Sequence, residues 1–269
     1  MKRLIVLVCG LLAIAVVLLA SLRLTHHRPM SAWAEDAAAT HANALWHIVH
    51  ELCMPDMKAS GNPAPCVSVD LGRGFAVLKD IQGKTHYLVL PTARVTGIES
   101  PALLAPDSPN YWAAAWGART LVERQIGRPL AREDIGLAVN SVAGRSQNQL
   151  HIHMDCLRTD VRDALSREVR RLGDRWSVVL LGRYHHRYRA RWLAGEELGA
   201  RDPFKILART DPEARVDMGD ETLALVGATK PNGAPGFILL TDPGDGTPND
   251  QAAAEELLDH RCEIATDDG

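Results

Sequence analysis

Between Gln149 and Cys156 the chain reads Q-L-H-I-H-M-D-C, with polar and apolar residues alternating. Side chains of a β-strand point to opposite faces in turn. The period therefore predicts a strand with Leu150, Ile152 and Met154 turned to a core. Gln149, His151, His153 and Asp155 share its other face. A half-buried antiparallel strand requires only the aliphatic set. Same-face neighbours lie about 6–7 Å apart, so His151 and His153 both reach one phosphate-sized ligand.

The surrounding pattern supplies the sheet. "CVSVDLGRGFAVLKD" and "THYLVLP" read as strands across the turn-like "IQGK", and "IGLAVNS" precedes the motif strand. "WSVVLLG" and "HRYRARWL" pair as a hairpin, followed by "ETLALVGAT" and "GFILLT". Helices are expected over 41–53 and from Ser108-Pro109 to about Ile126. Two more are expected after Thr159 as a cap and near 251–260. Strands neighbour one another more often than they alternate with helices. This favours an α+β class, an antiparallel sheet with flanking helices.

The first 24 residues obey another rule. Leu4 to Leu22 is an uncharged apolar run behind Lys2 and Arg3. About 20 such residues span a bilayer as a helix, more than the roughly 7–15 of a cleavable signal core. Residues 1–24 are expected to be a single-pass anchor with a cytoplasmic N-terminus, and 25–40 a tether. Residues 41–269 would be the catalytic domain with its C-terminal extension, held close to the membrane, on the periplasmic face of a bacterial inner membrane. Cys53, Cys66, Cys156 and Cys262 are an even set beyond the anchor, expected to pair 53–66 and 156–262 in an oxidising compartment; four buried thiols are the alternative. Net charge is −3 and aromatics are 5%, so nothing argues for nucleic acid as a partner.

Three chemistries compete for the motif. It is a solvated polar face, a metal site, or a nucleophilic imidazole. H-x-H-x-D resembles the first metal motif of the metallo-β-lactamase fold, but Cys156 stands where that pattern continues with histidine. An imidazole of ordinary pKa near 6.5 is largely neutral at pH 7 and can attack phosphorus. Gly144, Arg145 and Ser146 in the preceding turn, with His153, would stabilise the phosphate oxygens, and no cofactor is then required.

Gly144-x-Ser146 followed by Gln149-φ-His151-φ-His153 resembles the histidine-triad superfamily, over about residues 66–157. The resemblance implies that His151 is the nucleophile and Ser146 a contact to phosphate and leaving group. It places Asn140 near the phosphate and Asp80 on a ribose. Gln149 departs from the family's first histidine, yet keeps the backbone carbonyl that orients the nucleophile. With the anchor and the C-terminal "YHHRYRARWL" and "LGARDPF", the chain is similar to bacterial members that act on a lipid-borne nucleotide. That implies CDP-diacylglycerol as substrate, split to CMP and phosphatidate. Arg183, Tyr184, His186 and Arg189 are then candidates for the lipid-side phosphate. A broader nucleoside-diphosphate-ester hydrolase, or an anchored nucleotide- or lipid-binding protein, remains open.

Overall fold

In a computed structural model, residues 41–182, 185–245 and 247–266 are described. The expected anchor, the tether, Arg183 and Tyr184 lie outside them. No helix among the described residues is long and apolar enough to cross a membrane.

The strands are β1 (Ser68–Asp70), β2 (Phe75–Lys79), β3 (Tyr87–Pro91), β4 (Ile135–Val139) and β5 (Ile152–Leu157). They continue as β6 (Ser177–Leu181), β7 (His186–Ala194), β8 (Thr222–Thr229), β9 (Pro235–Asp242) and the short β10 (Leu258–Asp259). They form one sheet in the order β1-β2-β3-β5-β4-β8-β9-β7-β6, with β10 added on β5. All pairings are antiparallel, as the neighbouring strand signals imply. The motif strand β5 is interior. His153 stands opposite Leu88 on one side and Ala138 on the other.

Period 2 sorts the two faces. Ile152, Met154 and Cys156 join Leu137, Leu225 and Leu239 in a core covered by three helices. These are α1 (Tyr111–Ala118), α2 (Thr120–Ile126) and α3 (Pro203–Thr210), which bring Trp112, Trp116, Val122 and Phe204. Trp116 meets Phe237 edge-on, with ring centres 4.9 Å apart. Each such aromatic contributes roughly 4–6 kcal/mol of burial before entropy is counted.

The opposite face has two separate covers. Val49 and the Cys53–Cys66 disulfide pack on Ala76, Leu78, Leu88 and Leu90. Helix α4 (Thr159–Glu168) and Leu257 pack on Ala138, Ala224, Val226 and Leu240. The polar stripe of β5 falls between these covers.

Local signals explain where helices depart from expectation. The N-terminal helix does not stop at Cys53. It runs as Ala44–His47, a π-helical stretch Ile48–Cys53 and then Met54–Ser60, ending at Gly61 in the left-handed region. Pro55 comes just after the π-helical stretch; helical dihedrals continue through Cys53 and Met54, and the wide turns accommodate a residue without an N–H. The expected helix from Ser108 starts later, because Asn110 caps it by accepting from Ala113 N–H (3.1 Å). Thr159 is the first residue of its helix, and Arg158 holds the cap position. The segment near 251–260 is a 3-10 turn, Ala254–Leu257, followed by β10.

The second disulfide, Cys156–Cys262, ties β5 to the chain beyond β10. Gly136, beside Asp155 on β4, makes room for that docking. A Cβ there would lie 2.6 Å from Leu258 Cδ2.

Candidate active site

His151 immediately precedes β5 and is only 8% exposed. Its Nδ1 lies 2.7 Å from the carbonyl oxygen of Gln149. A carbonyl can only accept, so the ring proton is on Nδ1 and the lone pair is on Nε2. Burial lowers the pKa of His151, against the opposing effect of that hydrogen bond. The residue is therefore a neutral imidazole with fixed tautomer.

Gln149 reaches this arrangement through its backbone. Its side chain is fully buried and donates from Nε2 to the carbonyls of Pro91 (3.1 Å) and Ala93 (2.9 Å). Its Oε1 accepts a long bond from Val95 N–H (3.4 Å). The amide thus clamps the 91–95 segment to the start of β5.

His153 lies edge-on to His151, with ring centres 4.7 Å apart. Burial, followed by the neighbouring His151, pushes its pKa well below the usual value. Its Nδ1 is 2.9 Å from His86 Nε2, and its own Nε2 is buried with no partner among the described residues. Such an orphan nitrogen costs free energy unless a ligand meets it.

Behind these rings stands a group that sequence reasoning missed: His86, Glu255 and His260. His260 donates from Nδ1 to Asp155 (2.8 Å) and from Nε2 to Glu255 (3.2 Å). Those two bonds raise its pKa to about 10, so it is an imidazolium. It stacks on His86 with ring centres 4.2 Å apart. Burial, then the His260 charge, lowers the His86 pKa. Burial raises the pKa of Glu255, but the bond from His260 and the nearby imidazoles outweigh it. The carboxyl is held well below its ordinary range. Asp155 is fully buried and also accepts from Thr85 Oγ1 (2.5 Å) and Cys156 N–H (2.8 Å).

The remaining candidates take distinct places. Asn140 exchanges hydrogen bonds with Glu255, Nδ2 to Oε2 and backbone N–H to Oδ1, both 3.1 Å. Arg145 makes a two-pronged pair with Glu99 (2.5 and 2.9 Å). Ser146 is exposed on the same turn. Gly144 allows close passage, since a Cβ would sit 2.9 Å from the carbonyl oxygens of Gln251 and Ala252. Asp80 Oδ2 lies 3.9 Å from His86 Nδ1. His186 and Arg189 are not brought to this stripe. His186 Nδ1 bonds Glu256 (2.8 Å), and Arg189 is surrounded by Asp211, Glu213 and Glu221.

Metal ligation was the rival chemistry. Ligand atoms of His86, His153 and Glu255 lie within 4.8 Å of one another, as do those of His86, Asp155 and His260. Neither group includes His151, so the H-x-H-x-D spacing is not itself a ligand set. The His260 imidazolium already supplies a positive charge there.

The missed residues left two traces in the sequence. His86 has the same parity as Leu88, which faces His153 across the sheet. The expected Cys156–Cys262 link places the neighbourhood of His260 against the motif strand.

An uncharged histidine of fixed orientation, His151, thus stands at the centre of a buried polar cluster on the sheet. The CDP-diacylglycerol pyrophosphatase family matches residues 40–266. A protein of Yersinia pestis named CDP-diacylglycerol pyrophosphatase is 41% identical over 225 residues, which is 84% of this chain and 86% of that one. The chain belongs to the CDP-diacylglycerol pyrophosphatase family. A solved structure, Hnt3, aligns over 40% of this chain and 61% of its own at 15% identity, with a TM-score of 0.28, too low to carry an argument.

Proposed function

We propose that the protein cleaves CDP-diacylglycerol to CMP and phosphatidate through a nucleotidyl-histidine on His151. The observation that carries this reading is the 2.7 Å bond from His151 Nδ1–H to the Gln149 carbonyl, which leaves Nε2 as an unprotonated nucleophile. Nε2 attacks the phosphorus on the cytidine side. A P–N bond forms, the bridging P–O bond breaks, and phosphatidate leaves with the electron pair. Water then attacks the same phosphorus and gives up a proton to solvent, the P–N bond breaks with its electron pair returning to Nε2, and CMP is released. The leaving group is a phosphate monoester, whose second pKa is near 6, so it needs no proton at neutral pH. This suits a site in which an amide, Gln149, stands in place of a third histidine.

Other residues act on the phosphate and its surroundings. With the His86 proton on Nε2 and donated to His153 Nδ1, His153 presents its own proton from Nε2 to a phosphate oxygen. The His260 imidazolium stabilises developing negative charge from behind. Ser146 on the exposed turn contacts the phosphate, Arg145 and Gly144 shape that turn, and Asp80 meets the ribose. Asn140 positions Glu255.

Two disulfides support an oxidising compartment. With the apolar run from Leu4 to Leu22, they support a periplasmic domain held at the inner membrane beside its lipid substrate.

The test is to trap the intermediate. The enzyme is mixed with CDP-diacylglycerol, quenched in alkali and digested. The reading expects an acid-labile CMP adduct on the peptide containing His151, and His151→Ala should lose both adduct and turnover. Rapid turnover by the alanine variant would overturn it.

A further inference from the structure

His186 and Arg189, two of the side chains the sequence offers for the lipid-side phosphate, are bonded elsewhere. Another arginine stands nearer the chemistry. Arg145 lies on the turn before β5, and its charge opposes protonation of His151. Its side chain is only 10% exposed. Nη1 and Nη2 pair with Glu99 (2.5 and 2.9 Å), whereas Nε is buried without a partner among the described residues. A buried donor left unmatched costs free energy until an acceptor arrives.

The pair is fixed on every side. Arg145 N–H donates to the Ser141 carbonyl (3.1 Å). Glu99 also accepts from Thr96 Oγ1 (2.8 Å). Burial raises the Glu99 pKa, but its hydrogen bonds, that from Arg145 first, outweigh this and keep it a carboxylate. Gly97 gives the guanidinium its seat, because a Cβ there would collide with Arg145 Nη1 and Glu99 Oε2. The segment carrying Glu99 is registered on the motif strand. The Val95 carbonyl accepts from Leu150 N–H (2.6 Å), one residue before His151.

We propose that Arg145, positioned by Glu99 over Gly97, is the subsite for the lipid-side phosphate. The inference rests on the nucleotidyl-histidine reading and adds the group that receives the leaving phosphate. As the bridging P–O bond breaks, its electron pair passes to phosphatidate, whose phosphate gains a second negative charge. Glu99 engages the Nη atoms, so Arg145 meets this phosphate with Nε–H. The result is a charge-assisted hydrogen bond, and no proton is transferred. A leaving group without a phosphate makes no use of the subsite. The pair therefore selects diphosphate esters over simple esters of CMP.

The test compares two substrates that lead to the same CMP–histidine: CDP-diacylglycerol in detergent micelles and the 4-nitrophenyl ester of CMP. In the full-length Arg145→Ala variant, kcat/KM should fall about thirtyfold or more further on CDP-diacylglycerol than on the ester. Gly97→Ala and Glu99→Gln leave Arg145 in the chain but unseat it, and should show the same bias at about fivefold or more. Equal losses on both substrates would make Arg145 a support of the turn alone and would overturn the proposal, as would no loss on either. If Arg145→Ala does not fold, Arg145→Lys decides on the same ratio, because an ammonium lacks the Nε donor. The His151 reading is judged apart. Absence of a CMP adduct when the parent is mixed with the ester counts against that reading, whatever the ratio.

Discussion

Replacing Gln149 by leucine separates two roles that the residue combines. The backbone carbonyl that orients His151 is retained, while the side-chain amide is lost. Three backbone groups lose a partner. The Pro91 carbonyl is buried and would be left unmatched, at a cost of about 1–3 kcal/mol. The Ala93 carbonyl is more open and can regain water, so its loss is about 0.5–1 kcal/mol. The Val95 N–H bond, at 3.4 Å, is long and adds little. The expected destabilisation is about 2–4 kcal/mol, a large share of the roughly 5–15 kcal/mol that holds a domain together. It would be measured by denaturant unfolding without reductant, alongside kcat on CDP-diacylglycerol below the transition. The reasoning expects a lower midpoint with kcat within a few-fold of the parent. Unchanged stability with a hundredfold fall in kcat would refute it, because the amide would then be acting on substrate.

Other perturbations probe the charge network and the tail. The folded-state pKa values of His86, His151 and His153 are lowered, so each favours the folded state above pH 6.5. That stability is lost as pH falls below 6.5, where the unfolded chain takes up the protons. The acid limb of kcat is expected to lie below 6.5 for the same reason. His260 has the opposite sign: its contribution is complete below 6.5 and is lost as pH rises through about 10. A pH series of unfolding free energies should therefore decline on the alkaline side, and His260→Asn should flatten that decline. Cys262→Ser opens a link spanning 106 residues, worth about 4.7 kcal/mol on loop-closure grounds. Denaturant unfolding of the variant checks that figure. A thiol titration of the unfolded, non-reduced parent should find at most Cys9.

What the chain disclosed in advance follows from the range of the forces involved. Alternation along β5 is local, and it indicated correctly that Ile152 and Met154 face a core. The strand pairs β2–β3 and β6–β7 were legible because short connections make neighbours of consecutive strands. The N-terminal helix was underestimated at Cys53 because Gly and Pro nearby read as a loop, whereas a π-helical stretch carries the helix past Pro55. Helix α3 escaped notice even though Asp202 and Pro203 form a cap and first-turn pair. His86, Glu255 and His260 have no short-range pattern. Glu255 and His260 reach the site because β10 docks on β5, a contact made across about 100 residues, while His86 is carried to His153 by the β3–β5 pairing.

That docking also sets an order of events during synthesis. A ribosome that has just completed β5 has made His151 and His153, yet Glu255 and His260 are still about 100 codons away. The emerging chain therefore holds the proposed nucleophile well before the counter-charges behind it exist. Full competence waits for the last stretch to leave the exit channel, add its short strand and lose two thiol protons to oxidation.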